Sequence, residues 1–237
     1  MKAVILAGGL GERLRPLTAM IPKPLLPIGE SSVLDIQIRS LVRHGVDEVF
    51  IATNYLADYV ERHLRAQRYG IPVRVSRESE PLGTCGPVGL LEAELRAPFL
   101  LLNGDVLTTL DLRHTYEFAL GLDADLTVVT KEILTPFAFG RVLAEGSYIS
   151  GVQEKPDLRF EILAGIYVLK PALFALIPRG RYYGIDALIK DLLAAGRKVG
   201  RYVCADYWLD IGETSDYQAA QEAYARYFRH LAAGAER

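Results

Sequence analysis

The sequence has little cysteine and no excess of charge of one sign. Its two cysteines, Cys85 and Cys204, lie far apart and match no metal-ligand or CxxC spacing, which argues against a disulfide scaffold or a zinc site. Such sparse cysteine is typical of a reducing compartment, so a cytoplasmic protein is expected. The 27 basic and 29 acidic residues leave a net charge of -2. No global attraction to nucleic acid or to a membrane surface is therefore expected.

The sequence also lacks long apolar runs, repeats and low-complexity segments. No stretch of about 18 apolar residues is present, and the apolar part of MKAVILAGG is too short for a signal peptide. No composition break or linker marks a second domain. A chain of 237 residues that is 50% hydrophobic can bury a sizeable core. We therefore expect residues 1–237 to form a single catalytic domain with no appended module.

Short apolar runs alternate with stretches of helical period, which is typical of a parallel sheet covered by helices. Strands are predicted over residues 2–7, 49–53, 73–76, 99–102, 126–130, 141–143, 149–153 and 162–169. Helices are predicted from Ser32 to Gly45, over 56–64, around Val88, Leu91 and Leu95, and over 185–195 and 214–228. The aromatic stripe of the last helix suits either the core or an interface. The four histidines are expected on helix surfaces, and residues 232–237 are expected to fray.

The first predicted strand runs into a glycine-rich loop, GGLGERLRPLT, at residues 8–18. Three glycines within four positions let backbone N–H groups approach a ligand closely, and such a loop usually holds phosphate. It is no Walker A loop, and Leu14 stands where a dinucleotide fingerprint needs its third glycine. Arg13 and Lys23 follow in a connection stiffened by prolines, which suits a triphosphate. The alternative is a tight turn beside a solvated basic face.

Further segments in the same chain resemble those of one family. They are PKPLLP at 22–27, EPLGTCGP at 80–87, LLNGDV at 101–106, EKP at 154–156, AGIYVL at 164–169 and YWLDIG at 207–212. With the glycine loop, they are similar in kind and order to the motifs of sugar-1-phosphate nucleotidyltransferases. The resemblance implies an α/β, Rossmann-like nucleotidyltransferase fold (GT-A-like) with a mixed, mostly parallel central sheet flanked by helices. It also implies a nucleotide-binding part at about 1–110 and a sugar-phosphate-binding part at about 111–237.

The resemblance implies a reaction and a set of site residues. A sugar 1-phosphate oxygen attacks the α-phosphorus of a nucleoside triphosphate, and pyrophosphate leaves, with the protein positioning substrates and neutralising charge. The implied catalytic residues are Arg13, Lys23 and Asp105. The implied nucleotide-binding residues are Leu6, Ala7, Gly8, Gly9, Gly11, Glu12, Arg13, Lys23, Glu78, Pro81, Gly83, Thr84, Asn103 and Gly104. The implied sugar-phosphate-binding residues are Gly140, Glu154, Lys155 and Gly165.

Two acidic residues are implied to hold Mg²⁺. Asp105 follows the most apolar predicted strand at its carboxyl end, where open α/β sheets place ligands. Alone, it could simply cap a turn. Asp210 lies between Leu209 and Ile211, in a stretch too apolar for a carboxylate without a cation or hydrogen-bond partners. Mg²⁺ is usually held by one or two carboxylates together with substrate phosphates, and the resemblance makes Asp105 and Asp210 these ligands.

Two glutamates bear on the nucleotide. Glu78 lies five residues before the glycine of PLGT, where the family contacts the base. A carboxylate only accepts hydrogen bonds and guanine presents two adjacent donors, so GTP is the expected substrate. A solvated loop acid and the use of UTP or dTTP are the alternatives. Glu12 replaces a threonine that is commoner in the family, and beside a triphosphate its carboxylate must point away or meet a cation.

Two other classes of protein fit parts of the pattern. A non-catalytic regulatory homologue would bind nucleotide-sugar without turnover, but such relatives usually lose metal or phosphate residues that are present here. A dinucleotide-binding oxidoreductase would need the third glycine and an acid about 20 residues further on. The favoured hypothesis is an enzyme that takes a nucleoside triphosphate and a sugar 1-phosphate of the heptose or mannose type. The oligomeric state is left open, with a homodimer and a higher homo-oligomer among the alternatives.

Overall fold

A seven-stranded sheet runs through both halves of the chain in the computed structural model, which describes residues 1–232. The strands are β1 (Lys2–Leu6), β2 (Pro27–Ile28), β3 (Ser31–Ser32), β4 (Glu48–Thr53), β5 (Val73–Arg77), β6 (Phe99–Asn103), β7 (Val106–Thr108), β8 (Leu126–Pro136), β9 (Arg141–Glu145), β10 (Tyr148–Gln153), β11 (Asp157–Leu169), β12 (Val199–Val203) and β13 (Trp208–Asp210). The sheet has the order β12, β8, β11, β6, β1, β4, β5. Only β11 runs antiparallel to its neighbours in it. The predicted mixed, mostly parallel sheet is confirmed.

Helices connect these strands. They are α1 (Val33–Arg43), α2 (Ala57–Ala66), α3 (Leu112–Gly121), α4 (Ile185–Ala194), α5 (Thr214–Tyr227) and α6 (Arg229–Ala232). Shorter 3-10 turns cover Glu12–Leu14, Leu17–Ala19, Lys23–Leu25, Gly86–Leu91 and Pro171–Ala175. Ser32 begins α1 as predicted, because its Oγ accepts from the Asp35 N–H while Asp35 accepts from the Ser32 N–H. Within residues 1–232, no helix is long and apolar enough to cross a membrane.

Both faces of the sheet are covered, so its central strands cannot move relative to one another without breaking packing. Ile5 of β1 lies in one buried cluster with Leu34 and Ile38 of α1. The preceding residue, Val4, points to the other face and shares a cluster with Leu188 of α4. The carboxyl ends of β1, β4 and β6 are thereby held side by side.

The aromatic stripe of α5 belongs to the core. Ala220, Tyr224 and Phe228 are buried in a third cluster that includes Leu14 of the glycine loop. Gly29 has φ of 57°, and a Cβ there would lie 2.1 Å from the Tyr224 ring. The helix therefore packs against the start of the chain and supports the loop that leads from β1.

Several elements differ from the prediction. The segment around Val88 forms a 3-10 helix, Gly86–Leu91, where an α-helix was predicted. Helix α3 was not predicted, although the Asp111 carboxylate caps it by accepting from the His114 N–H. The short strands β2, β3, β7, β12 and β13 were not predicted either. Of the end that was predicted to fray, residues 233–237 lie outside the described part of the chain.

One buried carboxylate joins α1 to α2. Asp35 Oδ1 lies 2.9 Å from His63 Nε2 and accepts from the Tyr69 hydroxyl at 2.5 Å. Burial alone would raise the pKa of Asp35, but the hydrogen bonds from His63, Tyr69 and Ser32 bring it down to about 2. His63 is thus no free surface histidine, which corrects the prediction for this residue.

Replacing Phe228 by Ala should lower the free energy of unfolding by about 3 to 5 kcal/mol, because the change leaves a cavity in a buried cluster. Urea unfolding followed by circular dichroism measures it. Leu193→Ala removes an exposed side chain from α4 and is the control, with an expected change below about 1 kcal/mol. A Phe228→Ala effect that depended on protein concentration would indicate an interface and contradict the core assignment.

Candidate active site

The candidate site lies at the carboxyl edge of the sheet. Leu6 ends β1 and pairs with Ala52 of β4 on one side and Asn103 of β6 on the other. The glycine loop leaves the sheet after Leu6, and Gly104 and Asp105 follow Asn103. This edge is where open α/β sheets bind their ligands.

A cavity of about 340 Å³ opens at this edge. Its lining residues are Leu6, Ala7, Gly8, Gly9, Leu10, Lys23, Pro24, Glu78, Pro81, Gly83, Thr84, Asn103, Gly104, Asp105 and Tyr182. All predicted nucleotide-binding residues except Gly11, Glu12 and Arg13 are among them. The volume falls within the range of small-ligand sites, about 300 to 1,000 Å³.

Two glycines allow the strand ends to approach one another. A Cβ at Gly104 would lie 2.4 Å from Leu6 O, the same oxygen that accepts from the Gly104 N–H at 2.9 Å. Gly165 has φ of 70°, and a Cβ there would lie 2.7 Å from Asn103 Nδ2. Around Gly9 no atom lies within 4 Å of a built Cβ. The backbone of the glycine loop is therefore open to the cavity, whereas Gly104 and Gly165 close its floor.

Asp105 and Asp210 meet although they come from opposite halves of the chain. β7 begins at Val106, directly after Asp105, and pairs antiparallel with β13 so that Val106 lies opposite Asp210. The Ile211 N–H donates to Asp105 O at 3.0 Å. Oδ1 of each carboxylate is buried without a hydrogen-bond partner among residues 1–232. Two acceptors thus lie together where water is excluded.

The charges around this pair are incompletely balanced. Lys23 Nζ donates to Asp105 Oδ2 at 2.5 Å. Burial and the neighbouring Asp105 raise the pKa of Asp210 to about 6, and Lys23 and Arg13 offset only part of this effect. A divalent cation bound by oxygen would remove the repulsion and satisfy both Oδ1 atoms, so the two residues fit such an ion. The described residues contain no group of three or more His, Cys, Asp or Glu that could hold a metal. Substrate oxygens or water would complete the coordination.

Glu78 lies at the cavity wall just beyond β5. Its Oε2 accepts from the Leu82 N–H at 2.9 Å, and a Cβ at Gly8 would lie 3.0 Å from its Oε1. Asn54 Nδ2 donates to Glu78 O at 3.1 Å. Burial raises the pKa of Glu78, and the bond from Leu82 offsets part of the rise. The Glu78 side chain is half-buried and lines the cavity, and one of its two oxygens is held by the Leu82 N–H.

The loop after Glu78 is attached to the start of α4. Thr84 Oγ1 accepts from the Ile185 N–H at 2.8 Å, and the Cys85 N–H donates to Tyr183 O at 2.9 Å. This attachment brings Tyr182 beside Gly83 as an exposed wall of the cavity. Tyr182, Leu10 and Pro24 were not among the residues predicted for the site. The two adjacent tyrosines in the polar segment RGRYYG, of which Tyr182 is exposed, are the signal that could have identified it.

The remaining residues of the glycine loop lie beside the cavity. Glu12 points away, because its side chain is 68% exposed and its Oε1 lies 3.9 Å from an Arg15 nitrogen. This is one of the two arrangements expected for a carboxylate beside a triphosphate, which must point away from it or meet a cation. Arg13 lies next to Gly212, where a built Cβ would be 3.2 Å from the guanidinium. Gly11 has φ of 61° and its carbonyl accepts from the Thr18 hydroxyl at 2.6 Å, which closes the loop on itself.

Three of the four predicted sugar-phosphate residues lie together at the base of the β9–β10 hairpin. A Cβ at Gly140 would lie 3.1 Å from Glu154 Oε2. Lys155 follows with φ of 43°, a backbone conformation that non-glycine residues seldom adopt and that often occurs at functional sites. All three are exposed. Gly165 lies apart from them, buried against Asn103 beneath the cavity.

Comparison with known proteins identifies the family. Residues 2–227 match the family described as nucleotidyl transferase, so the chain belongs to the nucleotidyl transferase family. It is 34% identical over 241 residues to the mannose-1-phosphate guanylyltransferase catalytic subunit beta of Danio rerio, covering 98% of this chain and 67% of that protein. It is 35% identical over 227 residues to a mannose-1-phosphate guanyltransferase of Yarrowia lipolytica, covering 92% and 62%. The chain thus spans about two thirds of these relatives' length.

Solved structures agree with the family and the fold. HddC from Yersinia pseudotuberculosis matches with a TM-score of 0.74 and 26% identity, covering 94% of this chain and 99% of that one. The same protein complexed with GMP-PN matches with a TM-score of 0.73 and 25% identity, over 94% and 99%. The family and fold class inferred from the sequence motifs are therefore confirmed.

Replacing Asp210 by Asn should stabilise the metal-free protein at pH 7. The folded-state pKa of about 6 exceeds the ordinary 3.8, so the carboxylate destabilises the fold above about pH 6 and has no such effect below pH 3.8. A two-unit shift corresponds to roughly 3 kcal/mol, and solvent screening reduces the expected gain to about 1 to 2 kcal/mol. Urea midpoints at pH 7 and pH 4 measure it, and the gain should shrink at pH 4.

Asp206→Asn, an exposed change four residues earlier, is the control and should move neither midpoint. A lower midpoint for Asp210→Asn at pH 7 would show that the Asp210 carboxylate has stabilising partners that outweigh its repulsion from Asp105.

Proposed function

We propose that this chain transfers a guanylyl group from GTP to a sugar 1-phosphate of the mannose or heptose type, giving a GDP-sugar and pyrophosphate. The observation that carries the proposal is the convergence of the glycine loop, Glu78 and Asp105 on one cavity, with Asp210 brought next to Asp105 by the pairing of β13 with β7. The relatives named as mannose-1-phosphate guanylyltransferases and the GMP-PN complex of HddC support a guanine nucleotide.

The nucleotide occupies the part of the chain at about 1–110, and the sugar phosphate lies against the part at about 111–237. This division is supported by the cavity, whose lining residues other than Tyr182 all precede residue 110. Asp210 and the Glu154–Lys155 pair come from the second part. Because one sheet contains strands of both parts, the two act as one catalytic domain.

The backbone N–H groups of Gly8 and Gly9 bind phosphate oxygens, since both glycines line the cavity and no atom lies within 4 Å of a Cβ built at Gly9. Lys23 lies at the cavity wall beside Asp105 and holds the α-phosphate region. Arg13, exposed next to Gly212, stabilises the pyrophosphate that leaves. The protein needs no nucleophile of its own, because the sugar phosphate oxygen attacks directly and the protein's task is positioning and charge neutralisation.

Nucleotidyltransferases generally use a divalent metal. Asp105 and Asp210 would hold Mg²⁺, because their buried Oδ1 atoms lack partners in the described residues and hard oxygen ligands suit this ion. The ion would neutralise phosphate charge during the transfer. Before it binds, Lys23 neutralises Asp105, which keeps the two carboxylates close together in the metal-free protein.

Lys155 pairs with the phosphate of the sugar 1-phosphate, and Glu154 accepts hydrogen bonds from sugar hydroxyls. Their position at the base of the hairpin leaves both side chains open to solvent and free to reach a substrate. Gly140 leaves room for the Glu154 carboxylate, because a side chain there would meet Glu154 Oε2. Gly165 acts indirectly, by letting Asn103 form the floor of the cavity.

The protein works in the cytoplasm. Cys85 and Cys204 are both free and buried, as befits a reducing compartment. Its small-molecule partners are the two substrates.

GTP should be turned over faster than UTP, CTP, dTTP or ATP when each is combined with mannose 1-phosphate and with heptose 1-phosphates. Pyrophosphate release with and without Mg²⁺ measures the rate. Asp105→Asn is the matched control, because it keeps the size of the side chain and removes the charge, so metal-dependent turnover should be lost while the circular dichroism spectrum is retained. Faster turnover with UTP or dTTP would support a different branch of the family. Binding without any turnover would support a regulatory homologue.

Replacing Glu78 by Gln should lower kcat/KM for GTP roughly 10- to 100-fold and leave the value for UTP nearly unchanged. The Gln side-chain oxygen can still accept from the Leu82 N–H, but the second acceptor becomes a donor facing the donors of guanine. Bonds to a charged group contribute about 1.5 to 3 kcal/mol. Glu80→Gln, an exposed change outside the cavity, is the control. Equal losses for GTP and UTP would mean that Glu78 supports the loop without reading the base.

A further inference from the structure

The β9–β10 hairpin is a separate two-stranded sheet and contributes no buried side chain to the fold. Every residue of β9 is exposed, and in β10 only Gly151 is partly covered. Val142 pairs with Val152 and Ala144 pairs with Ile149, so these four apolar residues share one face. The exposed fractions of Val142, Ile149 and Val152 are 54%, 68% and 65%. The hairpin extends the β8–β11 pair, since the Phe137 N–H donates to Pro156 O at 3.0 Å, but it remains two-stranded. Two strands are only marginally stable in water, so a further strand would stabilise this hairpin.

The outer edge of β9 is free within the described residues. β9 pairs with β10 alone, and no third strand joins this small sheet. An unpaired strand edge presents a row of N–H and C=O groups that can bind another strand. The edge of β9 carries neither proline nor lysine, two residues that protect strand edges from such pairing.

The charges of β9 are arranged symmetrically. Its sequence, RVLAE, has Arg141 and Glu145 two residues before and two residues after Leu143. Neither charge forms an ion pair among the described residues, and their cross-strand neighbours on β10 are the uncharged Gln153 and Tyr148. The two opposite charges are therefore available to another molecule.

We propose that β9 pairs antiparallel with β9 of a second copy of this chain, about a two-fold axis at Leu143. In this register Arg141 faces Glu145 of the partner subunit, and Glu145 faces Arg141 of the partner subunit. Opposite charges directly across an antiparallel pair stabilise it, and like charges destabilise it. A two-fold axis satisfies both contacts at once and closes the assembly as a dimer.

Other arrangements of the same strand are less favourable. A parallel pairing in register would place each arginine beside an arginine and each glutamate beside a glutamate. An antiparallel pairing shifted by one residue would leave at least one charge opposite an apolar residue. The two hairpins that meet at this axis form a single four-stranded sheet and bring their apolar faces together. Four strands exceed the two-stranded state, which is only marginally stable.

The first test reverses the charges one at a time. Sedimentation equilibrium should show a dimer for the unchanged protein, and a dissociation constant raised at least roughly tenfold for Arg141→Glu and for Glu145→Arg, since each change creates two like-charge contacts. The double variant should dimerise again. An equimolar mixture of the two single variants should form a heterodimer, because each substituted position then faces the opposite charge. Circular dichroism spectra should be alike throughout.

A monomer for the unchanged protein at tens of micromolar, or single variants that dimerise as it does, would overturn the proposal. So would a double variant or a mixture that stays monomeric while the unchanged protein dimerises, because the contacts between the two charges would then not decide the pairing.

The second test measures the register. In the proposed dimer the two Leu143 residues lie directly opposite each other, with Cα atoms about 4.5 to 5.5 Å apart, a distance that a disulfide can bridge. Leu143→Cys should therefore give a covalent dimer under mild oxidation. The native Cys85 and Cys204 are buried and do not compete. Tyr148→Cys, exposed on β10 away from the axis, is the control. Equal rates for the two variants would contradict the register.

Discussion

The short antiparallel pairing of β7 with β13 is the contact on which the candidate site depends. Only these three paired positions bring Asp210, from the end of the chain, next to Asp105 at the end of β6. The Ile211 N–H and the Trp208 side chain reinforce the contact, because they donate to Asp105 O and Ala164 O. Without this pairing the two carboxylates would belong to unrelated loops, and nothing would hold either of them in an apolar environment.

The site built on this contact explains how a nearly neutral chain can bind two highly charged substrates. The net charge of -2 offers no long-range attraction to polyanions. Local geometry takes its place, with Lys23 and Arg13 beside the carboxylates and the backbone of Gly8 and Gly9 at the cavity wall. The raised pKa of Asp210 reflects a site in which repulsion between carboxylates is tolerated in the metal-free protein. A cation that binds there relieves this repulsion.

Local motifs predicted much of the fold and of the cavity. The cap at Ser32, the loop after β1 and the strands of the sheet other than β12 follow from residues close in sequence, and the structure has them where they were predicted. Elements that depend on distant neighbours were missed. β12 contains Gly200 and Arg201 and becomes a strand through its pairing with β8. His63 was expected on a free helix surface, but its partner Asp35 lies on another helix.

The sequence by itself determined the family and the α/β class and nominated the residues proposed to bind phosphate, because each of these follows from a short segment. Only the tertiary structure decided which of them share a cavity. It brought Tyr182 beside Gly83, separated Gly165 from Glu154, turned Glu12 to solvent and joined Asp105 to Asp210. The physical reason is that these contacts come from strand pairing and helix packing between segments far apart in the chain. Neither apolar periodicity nor a motif records which distant segment will be the neighbour.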